Sequence, residues 1–117
     1  MSIFQNEDVP LEALSYIFCT DEYVLILNRQ YLHHDTYTDI LTFPMSSPGE
    51  PIAAEIYISI ERVKENALRR KNAFKAELMR VMVHGILHLC GYSDHTPREK
   101  RAMRAREDRY LALLSST

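Results

Sequence analysis

The sequence predicts an α+β domain over residues 1–117: a small mixed β-sheet of about four strands, packed with helices. Three observations carry this. The first half holds short aromatic and β-branched runs, "SIFQ", "LSYIFC", "ILTF" and "AAEIYISI", separated by turn residues. The second half holds three helical patterns in succession, each with its own start or stop signal. The chain is 117 residues long, 46% hydrophobic and 26% charged, a size and balance that buries one core rather than two.

The elements follow in order. "SIFQ" and "LSYIFC" (residues 14–19) read as strands. Thr20 is placed to cap a helix over Asp21 to Leu32, with Asp21 and Glu22 favourable at its positive end and Val24, Leu27 and Tyr31 as its apolar stripe. The polar "HHDTYTD" is a loop, "ILTF" a strand stopped by Pro44, and "SSPGEP" a turn. In "AAEIYISI", Ala54, Ile56 and Ile58 alternate with Glu55, Tyr57 and Ser59, the pattern of a half-buried strand. Ser59 caps a helix to about Arg70, and Asn72 can cap another from Ala73 to Cys90, ended by Gly91. Phe74, Leu78, Val81, Met82, Gly85 and Leu89 share one face of it. Thr96-Pro97-Arg98-Glu99 joins a capping box to a proline at the first helical position, opening a helix to about Leu114.

Charge is divided along the chain. Residues 1–61 carry one basic and ten acidic residues, a net of −9, and residues 62–117 carry thirteen basic and six acidic, a net of +7. The basic residues cluster in Arg62–Arg80 and Arg98–Arg109. Such a split suits an anionic partner such as nucleic acid, or else the solvated faces of amphipathic helices. No apolar run is long enough to span a membrane, and the acidic start "MSIFQNEDVP" lacks the features of a secretory signal. A cytoplasmic protein with no membrane partner is expected, with Cys19 and Cys90 as free thiols.

The chemistry concentrates in "VMVHGILHLCGYSDHT", residues 81–96. His84 and His88 are four apart on a helix, so both rings lie on one face, one turn apart, where they can share a metal ion. Gly91 lets the chain turn back, and either Asp94 or His95 supplies a third ligand. Zinc with three protein ligands keeps a fourth position for water, which becomes a nucleophile near neutral pH. In a His-Glu-x-x-His protease the general base follows the first histidine; here that residue is Gly85, which disfavours proteolysis. Glu77, two turns before His84, reads as a partner for a histidine ring N–H or as a surface carboxylate.

"HGILHLCGYSDH" resembles the His-Gly-x-Leu-His-Leu-x-Gly-Tyr-Asp-His signature of the YbeY family of bacterial rRNA-maturation endoribonucleases. "LNRQYLHHDTYTDILTFPM" resembles that family's Leu-Asn-x-x-Tyr…Asp-x-x-Thr-Asp-Val-Leu-Ser-Phe-Pro block, and "AEIYIS" its Gly-Asp-Ile-x-Ile-Ser strand. The likeness runs from about Ser15 to the last helix. It implies a single-strand-specific, metal-dependent endoribonuclease with one zinc ion per chain, acting in 16S rRNA 3′-end maturation and late ribosome quality control. Ribosomal RNA and the small ribosomal subunit are then the partners. Nickel or iron also suits such ligands.

The chain departs from the family pattern in three places. The family's third histidine falls six residues after the second. By register that position is Asp94, with Ser93 inserted; by residue type it is His95. The short tether between Gly91 and Thr96 favours Asp94. Leu32 stands where the family has an arginine after its tyrosine, leaving Arg29 and His33 as catalytic candidates beside the loop residue His34. Only about "EDVPLEA" separates the first two strands, too short for the helix that relatives carry there, so the sheet is expected to be partly uncovered on one face or covered by a partner chain. Two rival readings stand beside the nuclease: a zinc-dependent hydrolase of another substrate, and a non-catalytic ribosome- or RNA-binding module with a structural metal.

Overall fold

The structure, a computed structural model, describes residues 3–34 and 36–115. The elements run α1 (Ile3–Asn6), β1 (Leu11–Cys19), α2 (Asp21–Leu32), β2 (Ile40–Pro44), β3 (Ile52–Ser59), α3 (Ile60–Arg70), α4 (Phe74–Leu89) and α5 (Pro97–Ser115). The α+β class and the mixed sheet are as expected, but the described residues form three strands rather than about four. The strand order is β1-β3-β2, with β1 parallel and β2 antiparallel to the central β3.

The missing strand is "SIFQ". Its described part lies in α1, a single helical turn. Ile3 and Phe4 are buried, and Ile3 packs with Val83, Leu87, Met103 and Tyr110 of α4 and α5. Glu7 then accepts hydrogen bonds from the Tyr92 hydroxyl (2.5 Å), the Tyr110 hydroxyl and Arg106 (3.3 Å). Tertiary anchorage outweighs the strand propensity of an apolar, aromatic tetrapeptide. No helix intervenes between α1 and β1, and β1 is an edge strand on which Leu11 and Phe18 stay exposed.

Alternation along β3 sorts the two faces of the sheet. Ala54, Ile56 and Ile58 are buried; Ile56 and Ile58 pack with Val63 of α3 and Val81 of α4, while Tyr57 packs with Val24, Leu27 and Leu41 on the α2 side. Ser59 is buried despite its phase, because its Oγ accepts the Arg62 N–H at the start of α3 and donates to Asp21 (3.1 Å). On α2, Val24 and Leu27 are buried as the stripe requires, but Tyr31 is 63% exposed and makes an edge contact with Phe43 of the sheet.

Helix α4 is buried on two sides. Val81 faces the sheet, and Val83 and Leu87 face α1 and α5. Each fully buried side chain of this kind contributes about 1.5–3 kcal/mol. Gly85 lies where α4 comes closest to the sheet: a Cβ there would fall 2.8 Å from Ile40 Cδ1 and 3.2 Å from Ile56 Cδ1. A glutamate in that position would have to displace the ends of these isoleucine side chains, so the space suits glycine rather than a protease-type base. The start of α4 differs from expectation. Ala73 is the N-cap, whose methyl side chain makes no cap bond, and Asn72 lies one residue outside the helix with its amide donating to Glu77. Among the described residues no helix is long and apolar enough to cross a membrane.

Candidate metal centre

The end of α4 forms a Schellman turn. Gly91, at φ +104°, donates its N–H to the His88 carbonyl, and the Tyr92 N–H reaches the Leu87 carbonyl (3.1 Å). Only glycine adopts this left-handed geometry without strain. The turn reverses the chain and aims the Tyr92 carbonyl at His88, whose Nδ1 lies 2.9 Å away. Four residues later the capping box closes: the Glu99 N–H donates to Thr96 Oγ1 (3.0 Å) and the Thr96 N–H to Glu99 Oε1 (2.9 Å). Between these two anchors Asp94 turns inward. His95 is exposed and lies outside the group that gathers at the helix end.

That group is His84, His88 and Asp94, whose ligand atoms all lie within 4.8 Å of one another. The two Nε2 atoms are 2.9 Å apart, and the Asp94 oxygens stand 3.3 Å from His84 Nε2 and 3.6 Å from His88 Nε2. Atoms about 2 Å from one tetrahedral zinc are separated by roughly 3.3 Å, which these distances bracket. The outer ring nitrogens are already engaged. His84 Nδ1 lies 2.5 Å from the Glu107 carboxylate, and His88 Nδ1 faces the Tyr92 carbonyl. Both partners accept only, so each Nδ1 carries the proton and both Nε2 lone pairs point into the same space as a carboxylate. With both rings neutral, these three acceptors converge without a donor, an arrangement that a cation satisfies. The residues therefore fit a metal ion, and the outer bonds to Glu107 and Tyr92 are of the kind that orient metal-binding imidazoles.

Glu107, on α5, is the hub beneath His84. It is buried and also accepts from Arg80 (3.0 Å), which reaches Asp108 as well (2.5 Å). Burial pushes the Glu107 pKa up, but the hydrogen bonds from His84 and Arg80 outweigh it and hold the carboxylate below its usual range. Burial pushes His84 down, yet the Glu107 bond and the charges of Glu107, Asp94 and Asp39 hold it above its ordinary value. Positive charge at this ring is thus favoured even before a metal arrives.

Two cavities meet at the group. One, of about 290 Å³, is lined by His84 and Asp94 together with Asp39, Arg70, Glu77, Arg80, Lys100, Arg104 and Glu107. The other, of about 700 Å³, is lined by His84, His88, Asp94 and His95, by Leu32, and by Ile40, Leu41, Thr42 and Pro44 of β2.

A family model described as "Endoribonuclease YbeY" matches residues 2–115. The endoribonuclease YbeY of Cytophaga hutchinsonii is 50% identical over 112 residues, covering 96% of this chain and 78% of that protein. Its Flavobacterium psychrophilum counterpart is 48% identical over 112 residues, covering 96% and 79%. The solution structure of protein TM1509 from Thermotoga maritima superposes with a TM-score of 0.65 at 32% identity, over 93% of this chain and 71% of that one. The chain belongs to the endoribonuclease YbeY family. This is a family of enzymes that hydrolyse phosphodiester bonds in RNA.

Within this YbeY-family chain, the residues singled out for catalysis are not in the walls of the two cavities at the metal group. Arg29 is exposed on α2, and His33 is exposed as its left-handed C-cap at φ 57°; neither lines either cavity. Leu32 does line the larger one. Glu77 is neither a surface carboxylate nor the partner of a histidine ring. It is fully buried and holds Arg70 and Asn72. Sequence reasoning missed Glu107, which lies 23 residues from its histidine. It also missed Asp39, which shares the walls of both cavities with Asp94 and whose pKa burial raises despite the nearby His84 and Arg70. The Thr-Asp pair in the family block is the one signal that pointed to Asp39.

Proposed function

We propose that this chain is a single-strand-specific, metal-dependent endoribonuclease, holding one zinc ion through His84, His88 and Asp94. We place it in the cytoplasm, acting on small-subunit rRNA in 3′-end maturation and late ribosome quality control. The observation that carries the metal assignment is the convergence of three acceptors whose outer ring protons are already committed to Glu107 and the Tyr92 carbonyl.

Zinc in such a site supplies Lewis acidity and a water acidified to a pKa of about 7. The protein supplies position. The Schellman turn fixes the His88 ring, Glu107 fixes that of His84, and the tether from Gly91 to Thr96 presents Asp94. The side chains of His84, His88 and Asp94 remain 24%, 31% and 33% exposed, so a substrate can reach the group. Structural zinc sites are closed instead, which favours catalysis over a purely structural metal.

The test is cleavage of a labelled single-stranded RNA by zinc-loaded, tag-free protein, beside a duplex RNA and a peptide pool. Cleavage of the single strand alone, abolished by chelation and restored by zinc, is the expected result. Cleavage of peptides would move the chain to another hydrolase class. Binding without cleavage, together with unfolding on chelation, would make it a binding module with a structural metal.

A further inference from the structure

The two cavities beside the metal group differ in charge. Four cations line the smaller one, but two of them are already neutralised: Arg70 by the buried Glu77, and Arg80 by Glu107 and Asp108. Lys100 and Arg104 are different. They stand one turn apart on α5, both exposed, and no carboxylate among the described residues pairs with either side chain. The larger cavity has no lysine or arginine in its lining, and Leu32 contributes an apolar side chain to its wall.

We infer that Lys100 and Arg104 grip backbone phosphates of the RNA strand on one side of the scissile bond only. The cavity on the other side, whose described lining includes no lysine or arginine, takes the neighbouring nucleotide through apolar and base contacts. This rests on the nuclease reading and deepens it. A phosphodiester chain crossing the metal group must lie along both cavities, and only one offers unpaired positive charge. In this chain Leu32 cannot hold a phosphate, so α5 supplies that grip.

The first arm of the test is binding. Zinc-loaded full-length protein is titrated with a fluorescent 2′-O-methyl oligonucleotide, which resists cleavage, over a range of salt concentrations. Lys100→Gln and Arg104→Gln should each reduce the slope of log K against log[salt] by about 0.7, the value for one lost single-strand phosphate contact. Lys75→Gln, an exposed cation outside both cavities, serves as control and should leave the slope unchanged. The second arm uses cleavable RNA with one neutral methylphosphonate at successive positions. KM should rise for neutral linkages on one side of the cut, with kcat little changed. An unaltered slope in the double variant, or equal losses on both sides of the cut, would overturn the inference. Parent protein that binds the 2′-O-methyl strand but cleaves no RNA would refute the nuclease reading, and the slopes would still decide the role of Lys100 and Arg104.

Discussion

Asp94→Ala is expected to reduce single-stranded RNA cleavage to background and to weaken zinc binding by more than the roughly 10–100-fold that loss of an outer hydrogen-bond partner costs. His95→Ala should leave both close to the parent. The contrast follows from placement. Asp94 is presented inward between the Gly91 turn and the Thr96 capping box, with its oxygens 3.3 and 3.6 Å from the two Nε2 atoms, whereas His95 is exposed. Removing Asp94 leaves two imidazoles, too few to hold zinc in a catalytic site. Metal titration against a competing chelator, with cleavage assayed on the same samples, checks both halves. Equal losses in the two variants, or a larger loss in His95→Ala, would return the third position to histidine.

Glu107→Gln is expected to lower zinc affinity about 10–100-fold and cleavage with it, while the fold persists. The carboxylate accepts from His84 Nδ1 at 2.5 Å and from Arg80 at 3.0 Å. An amide keeps the shape but removes the charge that holds the imidazole proton on Nδ1 and makes Nε2 a better donor atom. Excess zinc should recover much of the lost cleavage, since Glu107 acts through His84. Arg80→Gln, which leaves the Glu107–His84 bond in place, should cost less. Calorimetric zinc titration of the three proteins measures the order, and thermal unfolding verifies that the folds are intact. A Glu107→Gln chain with parental zinc affinity would show that the bond to His84 is incidental.

These residues also show where sequence reasoning reaches its limit. The helix end at Gly91 and the box at Thr96–Glu99 were legible, because capping is local chemistry written in four or five consecutive residues. The two histidines were legible because helical spacing alone puts them on one face. The short tether between the two caps also made Asp94 the favoured third residue by register. Glu107 was not legible. It sits among the many charges of α5, and only the packing of α5 against α4 distinguishes it from Asp108 beside it, which stays exposed. The turn at Ile3–Asn6 failed for the same kind of reason: its helix is held by contacts to Tyr110 and by burial of Ile3 and Phe4, not by its own propensities. Asn72 failed as a cap because the helix starts one residue later, with Ala73 at the N-cap, and the Asn72 amide donates to Glu77, a buried carboxylate three positions past the helix start.

The most direct test of the central claim is zinc content per chain, by elemental analysis of tag-free protein beside His84→Ala. About one zinc per parent chain, lost in the variant, is the result expected of a three-ligand site built on α4. A parent chain that holds no zinc, and takes none up from a zinc buffer, would contradict it.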